Sequence, residues 1–514
     1  MRRHLLLAFF CACALAAAPP SNTPARVDAV FEKWTNTTPG CAVGVATNGV
    51  PVLAKGYGMA DLEHDVPITA QSIFEAGSVS KQFTAAAVLL LAREGKLSLD
   101  DQVRKYIPEL PDYGSPLTIR HMLNHTSGLR DWGSVAAIAG WPRTRRVHTQ
   151  ANMLDIASRQ TALNFVPGTH WSYSNTGYNL AAMIVTRVSG KPFPEFTRER
   201  LFVPLNMTHT SWRDDFTRVV KGRAIAYSSG VDFHTDMPFE DVYGNGGLLT
   251  TVGDLLKWNE HFDAATAGDA ELIAEQQRPG QFNDGRPHGY GLGLFLETYK
   301  GIREVNHSGS TAGYQAFLTR FPAEHVSVAV LCNVSSATPA AYAHDVAEVF
   351  LGDAIKTSQA TAHGLTAAQV NAAHGLYRST LTGLSLTMGA EPDSRHWTFD
   401  AHGAVASDAY GTSETYQREA EWTPPPSVLA GYTGTYASDE AEAEMTATVE
   451  AGHLQLKRRP DTVIELTPIY LDAFKAGTLG TIIFRRDAAE QITAFSVVQD
   501  RVWDLRFRKR PGRS

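Results

Sequence analysis

The sequence has only four cysteines, no strong excess of positive charge and, among its cysteines and histidines, no cluster with zinc-ligand spacing. The last absence predicts that the protein binds no metal ion. The net charge of −7 over 514 residues argues against a nucleic-acid-binding surface. The apolar fraction of 43% is ordinary for a globular protein, and the length suggests more than one domain. We therefore expect a globular protein that binds no nucleic acid and uses no cofactor.

Apolar stretches long enough to span a membrane are also absent after residue 18. Before that point, Arg2-Arg3 precedes an apolar run over residues 5–18, with a small-residue cleavage site at residues 14–16. This arrangement is typical of a signal peptide, and no full lipobox precedes either cysteine within it. We predict that residues 1–18 are a signal peptide. The mature protein should then be soluble, without a membrane anchor, and periplasmic or secreted.

A Gly-x-Ser-x-Gly sequence, the mark of an α/β-hydrolase, does not occur. What does occur is a single Ser-x-x-Lys, formed by Ser78 and Lys81, at the start of an apolar helix predicted over residues 82–92. Residues three apart share a helix face, so the Ser78 hydroxyl and the Lys81 amine can meet. Apolar surroundings favour a neutral lysine, which can take the hydroxyl proton. The pattern predicts a serine nucleophile, although a capping serine beside a solvent-facing lysine would give the same spacing.

A second element is Tyr173-Ser174-Asn175, which lies just before an apolar segment over residues 178–184. A tyrosine near a cationic lysine ionises more readily and can relay a proton, so Tyr173 is a candidate general acid–base. The carboxamide of Asn175 can hold the lysine or a substrate amide. The similar run from Tyr243 to Asn245 is followed by two glycines and no helix. We interpret that run as a turn at the rim of the site.

A third element is the run His307-Ser308-Gly309-Ser310, which lies between segments that read as antiparallel strands. Glycine in a strand lets another backbone approach closely, so Gly309 is expected beside a bound substrate. The backbone N–H groups of Ser310 and Ser78 could then act together as an oxyanion hole. His307, Gly309 and Ser310 are therefore candidate substrate-binding residues.

These three elements, in this order, resemble the serine β-lactamase and penicillin-binding-protein superfamily. The resemblance is to the class C β-lactamase-like branch, which includes D-aminopeptidases, DD-carboxypeptidases and family VIII esterases. It covers roughly residues 25–350, with further landmarks over residues 119–129, 201–207 and 246–251. It implies an α/β (α+β) catalytic domain, an antiparallel sheet flanked by helices. It also implies that Ser78 is the nucleophile and that Lys81 and Tyr173 share the general acid–base work. Asn175 and His307 are implied to have supporting roles.

One departure from the superfamily pattern bears on the substrate. Penicillin-directed members usually carry lysine at the position of His307, and an imidazole is not a fixed positive charge at neutral pH. We therefore expect hydrolysis of amide bonds in small peptides that contain D-amino acids. The alternatives are a carboxylesterase, a β-lactamase or DD-carboxypeptidase, and a penicillin-binding sensor without turnover.

The composition and the predicted secondary structure change after the catalytic domain, which we assign to residues 19–355. Residues 360–373 are rich in alanine and are predicted to form a linker, whereas later segments alternate as strands. We predict a small β domain over residues 364–423 and a C-terminal antiparallel β-barrel over residues 428–514, on a lipocalin-like plan that the resemblance suggests.

Two further features stay open at this stage. In relatives a loop of the last barrel reaches the active site, and the acidic run over residues 439–444 is a candidate to attract a substrate ammonium there. The alternative is a solvated hairpin. Cys41 and Cys332 both lie in predicted strands, which the resemblance places side by side, so they form either a disulfide or two buried thiols.

Overall fold

The structure is a computed structural model that describes residues 23–264, 269–355, 373–388, 396–399, 404–407 and 412–511. The predicted signal peptide and most of the predicted linker lie outside the described residues. None of the helices in the described ranges combines the length and the apolar character needed to cross a membrane.

The helices form mainly in the first part of the chain. They are α1 (Thr23–Val30), α2 (Lys81–Arg93), α3 (Ile119–Leu123), α4 (Trp132–Ile138), α5 (Gln150–Ser158), α6 (Asn175–Ser189), α7 (Phe193–Thr197), α8 (Val252–Ala264), α9 (Ala270–Gln276), α10 (Pro339–Leu351) and α11 (Pro426–Leu429). Short 3-10 turns form at Gly77–Ser80, Val103–Lys105, Gly352–Ala354, Ala430–Tyr432 and Gly477–Leu479, and a π-helical turn at Arg198–Phe202.

The strands fall into a catalytic group and a C-terminal group. The first group is β1 (Cys41–Thr47), β2 (Val50–Tyr57), β3 (Met59–Asp61), β4 (Val66–Pro67), β5 (Phe74–Glu75), β6 (Ser211–Trp212), β7 (Tyr227–Ser228), β8 (His234–Thr235), β9 (Leu248–Thr250), β10 (Gly280–Gln281), β11 (Pro287–His288), β12 (Phe295–Tyr299), β13 (Ile302–Thr311), β14 (Tyr314–Phe321) and β15 (Val326–Cys332). The second is β16 (Gly375–Ser379), β17 (Ser385–Met388), β18 (His396–Phe399), β19 (Ala404–Ser407), β20 (Ser413–Glu419), β21 (Gly434–Ser438), β22 (Ala443–Glu450), β23 (His453–Arg458), β24 (Thr462–Glu465), β25 (Thr467–Tyr470), β26 (Ala473–Lys475), β27 (Thr481–Arg486), β28 (Ile492–Gln499) and β29 (Val502–Lys509).

The central sheet of the catalytic domain joins both ends of that domain. Its six strands run in the order β12-β13-β14-β15-β1-β2, and the neighbouring pairs are antiparallel. Cys41 on β1 lies opposite Cys332 on β15, and their sulfurs are bonded at 2.09 Å. Of the two alternatives for these cysteines, the structure has the disulfide.

Helix α2 forms the centre of the domain, because its side chains are apolar on every face. Its residues from Lys81 to Leu91 are all buried, and it packs along α6, which is buried over most of its length. The helix therefore begins inside the protein, with its first residue buried. The predicted mixture of helices with an antiparallel sheet is confirmed.

The C-terminal strands form two sheets. A five-stranded antiparallel sheet has the order β17-β16-β20-β19-β18. A nine-stranded antiparallel sheet, in the order β24-β23-β22-β21-β29-β28-β27-β26-β25, curls into a nearly closed barrel. Aromatic side chains fill the barrel, with ring centroids 5.6 Å apart for Phe484 and Phe495 and 5.0 Å apart for Phe495 and Phe507. The predicted C-terminal barrel is confirmed.

Candidate active site

The centre of the site is formed by the 3-10 turn Gly77–Ser80, here called the Ser78 turn, and by Lys81, the first residue of α2. The Lys81 side chain is fully buried, and its Nζ lies 3.1 Å from the Ser78 Oγ. The same nitrogen donates to the Asn175 Oδ1 at 2.9 Å and to the Asn245 carbonyl at 2.7 Å. Two chain segments distant in sequence therefore hold the amine against the serine hydroxyl.

Burial lowers the pKa of Lys81 well below its usual value, and the positive charges of Arg501 and Arg143 lower it further. A neutral amine has two N–H donors and one lone pair. The carbonyl oxygens of Asn175 and Asn245 use both donors, so the lone pair remains for the Ser78 proton. The amine therefore has the surroundings of a general base and not those of a lysine that reaches solvent.

Tyr173 lies in the same pocket, with the centre of its ring 4.8 Å from the Lys81 Nζ. Burial raises its pKa, although the Ser78 side chain and the Arg501 charge act in the opposite direction. The expectation that a nearby lysine would make Tyr173 ionise more readily is therefore wrong, because burial favours the neutral form of both groups. Tyr173 can still relay a proton through a neutral hydroxyl.

Tyr243, the tyrosine of the similar run over residues 243–245, is not among the residues that line this pocket. It stacks on Phe193, with ring centroids 5.9 Å apart. Its neighbour Asn245 does line the pocket and also supplies the carbonyl that holds Lys81. The sequence pattern predicts a turn at the rim of the site. It assigns no role to Asn245, because every residue has a backbone carbonyl and the residue type does not show which carbonyl will accept a hydrogen bond.

Strand β13 lies directly against the Ser78 turn. A β-carbon at Gly309 would lie 2.0 Å from the Ala76 carbonyl oxygen and 3.0 Å from the Ser78 nitrogen, so only glycine fits there. A β-carbon at Gly77, where φ is +51°, would lie 2.5 Å from the Ser310 nitrogen. The backbone N–H groups of Ser78 and Ser310 are thus brought close together, as an oxyanion hole requires.

His307 lies on the same strand but carries no charge. His307 is 1% exposed, and burial lowers its pKa to about 3. Its Nδ1–H donates to the Ser308 carbonyl at 2.6 Å, so its Nε2 accepts from the Tyr290 hydroxyl at 3.0 Å. Because the imidazole is neutral at ordinary pH, it does not replace the fixed positive charge of a lysine.

The pocket around Ser78 has a volume of about 840 Å³. Its described lining residues include two arginines, Arg143 and Arg501, and no aspartate or glutamate. Arg501 comes from the turn between β28 and β29 of the barrel, and its guanidinium carbon lies 4.7 Å from the centre of the Tyr173 ring. Sequence analysis missed this residue.

The acidic run over residues 439–444 does not line the pocket. Glu440 instead forms an ion pair of 2.9 Å with Arg130, which is buried beneath the barrel, and it accepts a hydrogen bond from the Thr161 N–H at 2.7 Å. The run therefore attaches the barrel to the catalytic domain elsewhere. The interpretation that it attracts a substrate ammonium at the site has no support in this geometry.

A surface group of Asp61, Glu63 and His64 brings three side chains together in a way that could hold a metal ion. Asp61 is already hydrogen-bonded within the group, at 2.8 Å to the His64 Nδ1. None of the three lines the pocket around Ser78, so we assign the group no part in the site.

Comparison with known proteins agrees with this geometry. A family model described as beta-lactamase matches residues 27–351. The chain belongs to the β-lactamase family. The superfamily predicted from the sequence motifs is therefore confirmed.

Within this β-lactamase family, curated relatives carry two kinds of name. A D-aminopeptidase of Gluconobacter oxydans is 29% identical over 356 residues, which cover 69% of this chain and 66% of that protein. Penicillin-binding protein 4* of Bacillus subtilis is 30% identical over 304 residues, or 53% of this chain and 65% of that protein. The matches thus extend over about two thirds of the length of these relatives.

Solved structures show the same fold. The octameric penicillin-binding protein homologue from Pyrococcus abyssi aligns with 95% of this chain and 99% of its own, at 22% identity and a TM-score of 0.58. The D-amino acid amidase from Ochrobactrum anthropi SV3 aligns with 64% of this chain and 97% of its own, at 22% identity and a TM-score of 0.54. At these identities the likeness concerns the fold alone.

Proposed function

We propose that this protein is a serine hydrolase that cleaves amides of D-amino acids, or small peptides that contain them, through an ester on Ser78. The observation that carries the proposal is the buried Lys81 amine, with both donors engaged and its nitrogen 3.1 Å from the Ser78 Oγ. The names of a D-aminopeptidase relative and of a structurally similar D-amino acid amidase support the substrate class.

The reaction follows from these positions. The Ser78 Oγ attacks the substrate carbonyl carbon while its proton passes to the Lys81 Nζ, and the oxyanion receives hydrogen bonds from the Ser78 and Ser310 N–H groups. The C–N bond then breaks, and the proton reaches the leaving amine through the Tyr173 hydroxyl. Water adds to the resulting ester by the same route in reverse, which releases the acid and restores Ser78.

Export of the protein is part of the proposal. A disulfide between Cys41 and Cys332 agrees with an oxidising compartment. Cell fractionation and N-terminal sequencing of the mature protein would test this part, and an intact N-terminus in the cytoplasmic fraction would refute it.

The decisive experiment compares the wild-type protein with Ser78→Ala and Ser80→Ala. Wild-type protein should be labelled by a fluorophosphonate and should hydrolyse small peptides of D-amino acids faster than their L-isomers or short-chain esters. Ser78→Ala should lose both labelling and turnover. Ser80→Ala should retain labelling, because the Ser80 hydroxyl is used within the fold, where it donates to the Gly77 carbonyl at 2.6 Å. Labelling of Ser78→Ala would show that the nucleophile is another residue.

A further inference from the structure

The pocket attracts negative charge, although His307 does not supply the attraction. The His307 ring is neutral at ordinary pH, for the reasons given above, and Lys81 is turned towards Ser78 with its donors engaged. Among the described lining residues, the two arginines are therefore the fixed positive charges, and no carboxylate is found among those lining residues. A free carboxylate on the substrate therefore suits this pocket.

Of these two arginines, Arg143 is already paired. Its Nε donates to the Glu240 Oε2 at 2.7 Å, and that carboxylate is buried. The Arg501 guanidinium, by contrast, forms no side-chain hydrogen bond or ion pair with any described residue; it lies over the face of the Tyr173 ring, with its central carbon 4.7 Å from the ring centre. Stacking leaves the edge of a guanidinium available, and that edge matches a carboxylate in two hydrogen bonds.

The turn that carries Arg501 is held rigidly against the catalytic domain. The Arg501 carbonyl accepts hydrogen bonds from the Asp131 N–H at 3.3 Å and from the Asn164 Nδ2 at 3.1 Å. The Asn164 Oδ1 in turn accepts from the Trp503 N–H at 3.0 Å, and the Ser172 hydroxyl donates to the Asp500 carbonyl at 3.3 Å. The Trp503 ring packs on Phe165 as well. The backbone of this turn therefore needs little reordering when the Arg501 side chain binds a ligand.

We propose that Arg501 is a specificity-determining residue, which binds a free carboxylate of the substrate at the mouth of the Ser78 pocket. The inference rests on the proposed function and deepens it: the substrate is an amide or peptide with a carboxylate near the scissile bond. The positive charge that other family members place on the strand of His307 comes here from the C-terminal barrel.

Binding to protein without the nucleophile tests this proposal separately from turnover. In Ser78→Ala protein, calorimetry would give the Kd of N-acetyl-D-alanyl-D-alanine and of its C-terminal carboxamide, which differ in one charge. We expect the carboxylate to bind about tenfold more tightly at low salt, as a charge-assisted pair on an exposed side chain allows. The difference should shrink as salt is raised towards about 0.5 M.

Arg501→Gln should remove the difference between the two ligands, and Arg501→Lys should restore part of it. The matched control is Arg508→Gln, which removes the same charge from an exposed position on β29 and should leave the difference unchanged. Equal Kd values in the parent protein, no measurable binding of the carboxylate dipeptide, or an unchanged difference in Arg501→Gln would each overturn the proposal. A carboxylate preference without any hydrolysis by wild-type protein would instead refute the proposed function and leave the role of Arg501 standing.

Discussion

Two basic side chains near Ser78 differ in almost every physical respect. Lys81 is fully buried at the start of α2 and is held by Asn175 and Asn245, so that burial lowers its pKa. Arg501 lies on an exposed barrel turn and stacks on Tyr173. Burial turns the lysine into a base, whereas a guanidinium is charged wherever it lies. The comparison teaches that the type of basic group and its burial together decide what a basic residue can do.

The largest effect should come from replacing the buried base. Lys81→Ala should lower kcat by about 10²–10⁴-fold, because the Lys81 amine is the base that lies against the Ser78 hydroxyl. Lys81→Arg should fail as well, since a guanidinium does not deprotonate at usable pH. Single-turnover kinetics with an activated ester would measure both losses. Substantial turnover by Lys81→Arg would show that position 81 needs a charge and not a base.

Tyr173→Phe should also lower kcat strongly, since the phenol links Ser78 to the leaving group. Combined with Lys81→Ala, it should add little to the larger single loss, because residues that act as a unit are not additive. Tyr243→Phe, outside the pocket, is the control and should change kcat little. Fully additive losses in the double variant would contradict a shared relay.

His307 should affect stability on acidification. Its pKa in the folded protein is about 3, against an ordinary value of 6.5. Between these values the unfolded chain binds a proton that the folded protein does not, so this contribution to stability falls with falling pH. The free energy of unfolding should therefore decrease by about 1.4 kcal/mol per pH unit on this account.

Urea denaturation of wild type and His307→Gln at pH 4, 5 and 6 would measure this slope. The variant should show a shallower dependence, although His288, whose pKa burial lowers to about 4, still contributes. Parallel curves for the two proteins would mean that the His307 ring binds a proton as readily in the folded protein as in the unfolded chain.

The smallest effect on activity should come from substitutions in the acidic run over residues 439–444. Glu440→Gln should destabilise the attachment of the barrel by about 1–2 kcal/mol, because the Glu440 carboxylate binds the buried Arg130 and the Thr161 N–H. It should leave the ratio of kcat/KM values for a free-amine anilide and its N-acetyl form unchanged. Glu444→Gln, at an exposed position, is the matched control. A selective loss on the free amine would restore the interpretation of this run as an ammonium site.

The sequence alone was sufficient for the family, the fold class and the C-terminal barrel, because these depend on local patterns. Ser78 and Lys81 are three residues apart on one helix, so their contact follows from helix geometry. The apolar residues after Lys81 likewise predict its burial, and burial is the largest cause of its lowered pKa.

Only the tertiary structure decided which distant groups complete the site. The Asn245 carbonyl is a backbone atom 164 residues from Lys81, and no side-chain pattern marks it. The acidic run over residues 439–444 is the more conspicuous cluster of charge in the sequence. In the folded barrel, however, its Glu440 pairs with Arg130, and it is Arg501 that lines the pocket. The direction in which a hairpin points depends on how two domains pack, and that packing is the sum of many weak contacts between residues far apart in the chain.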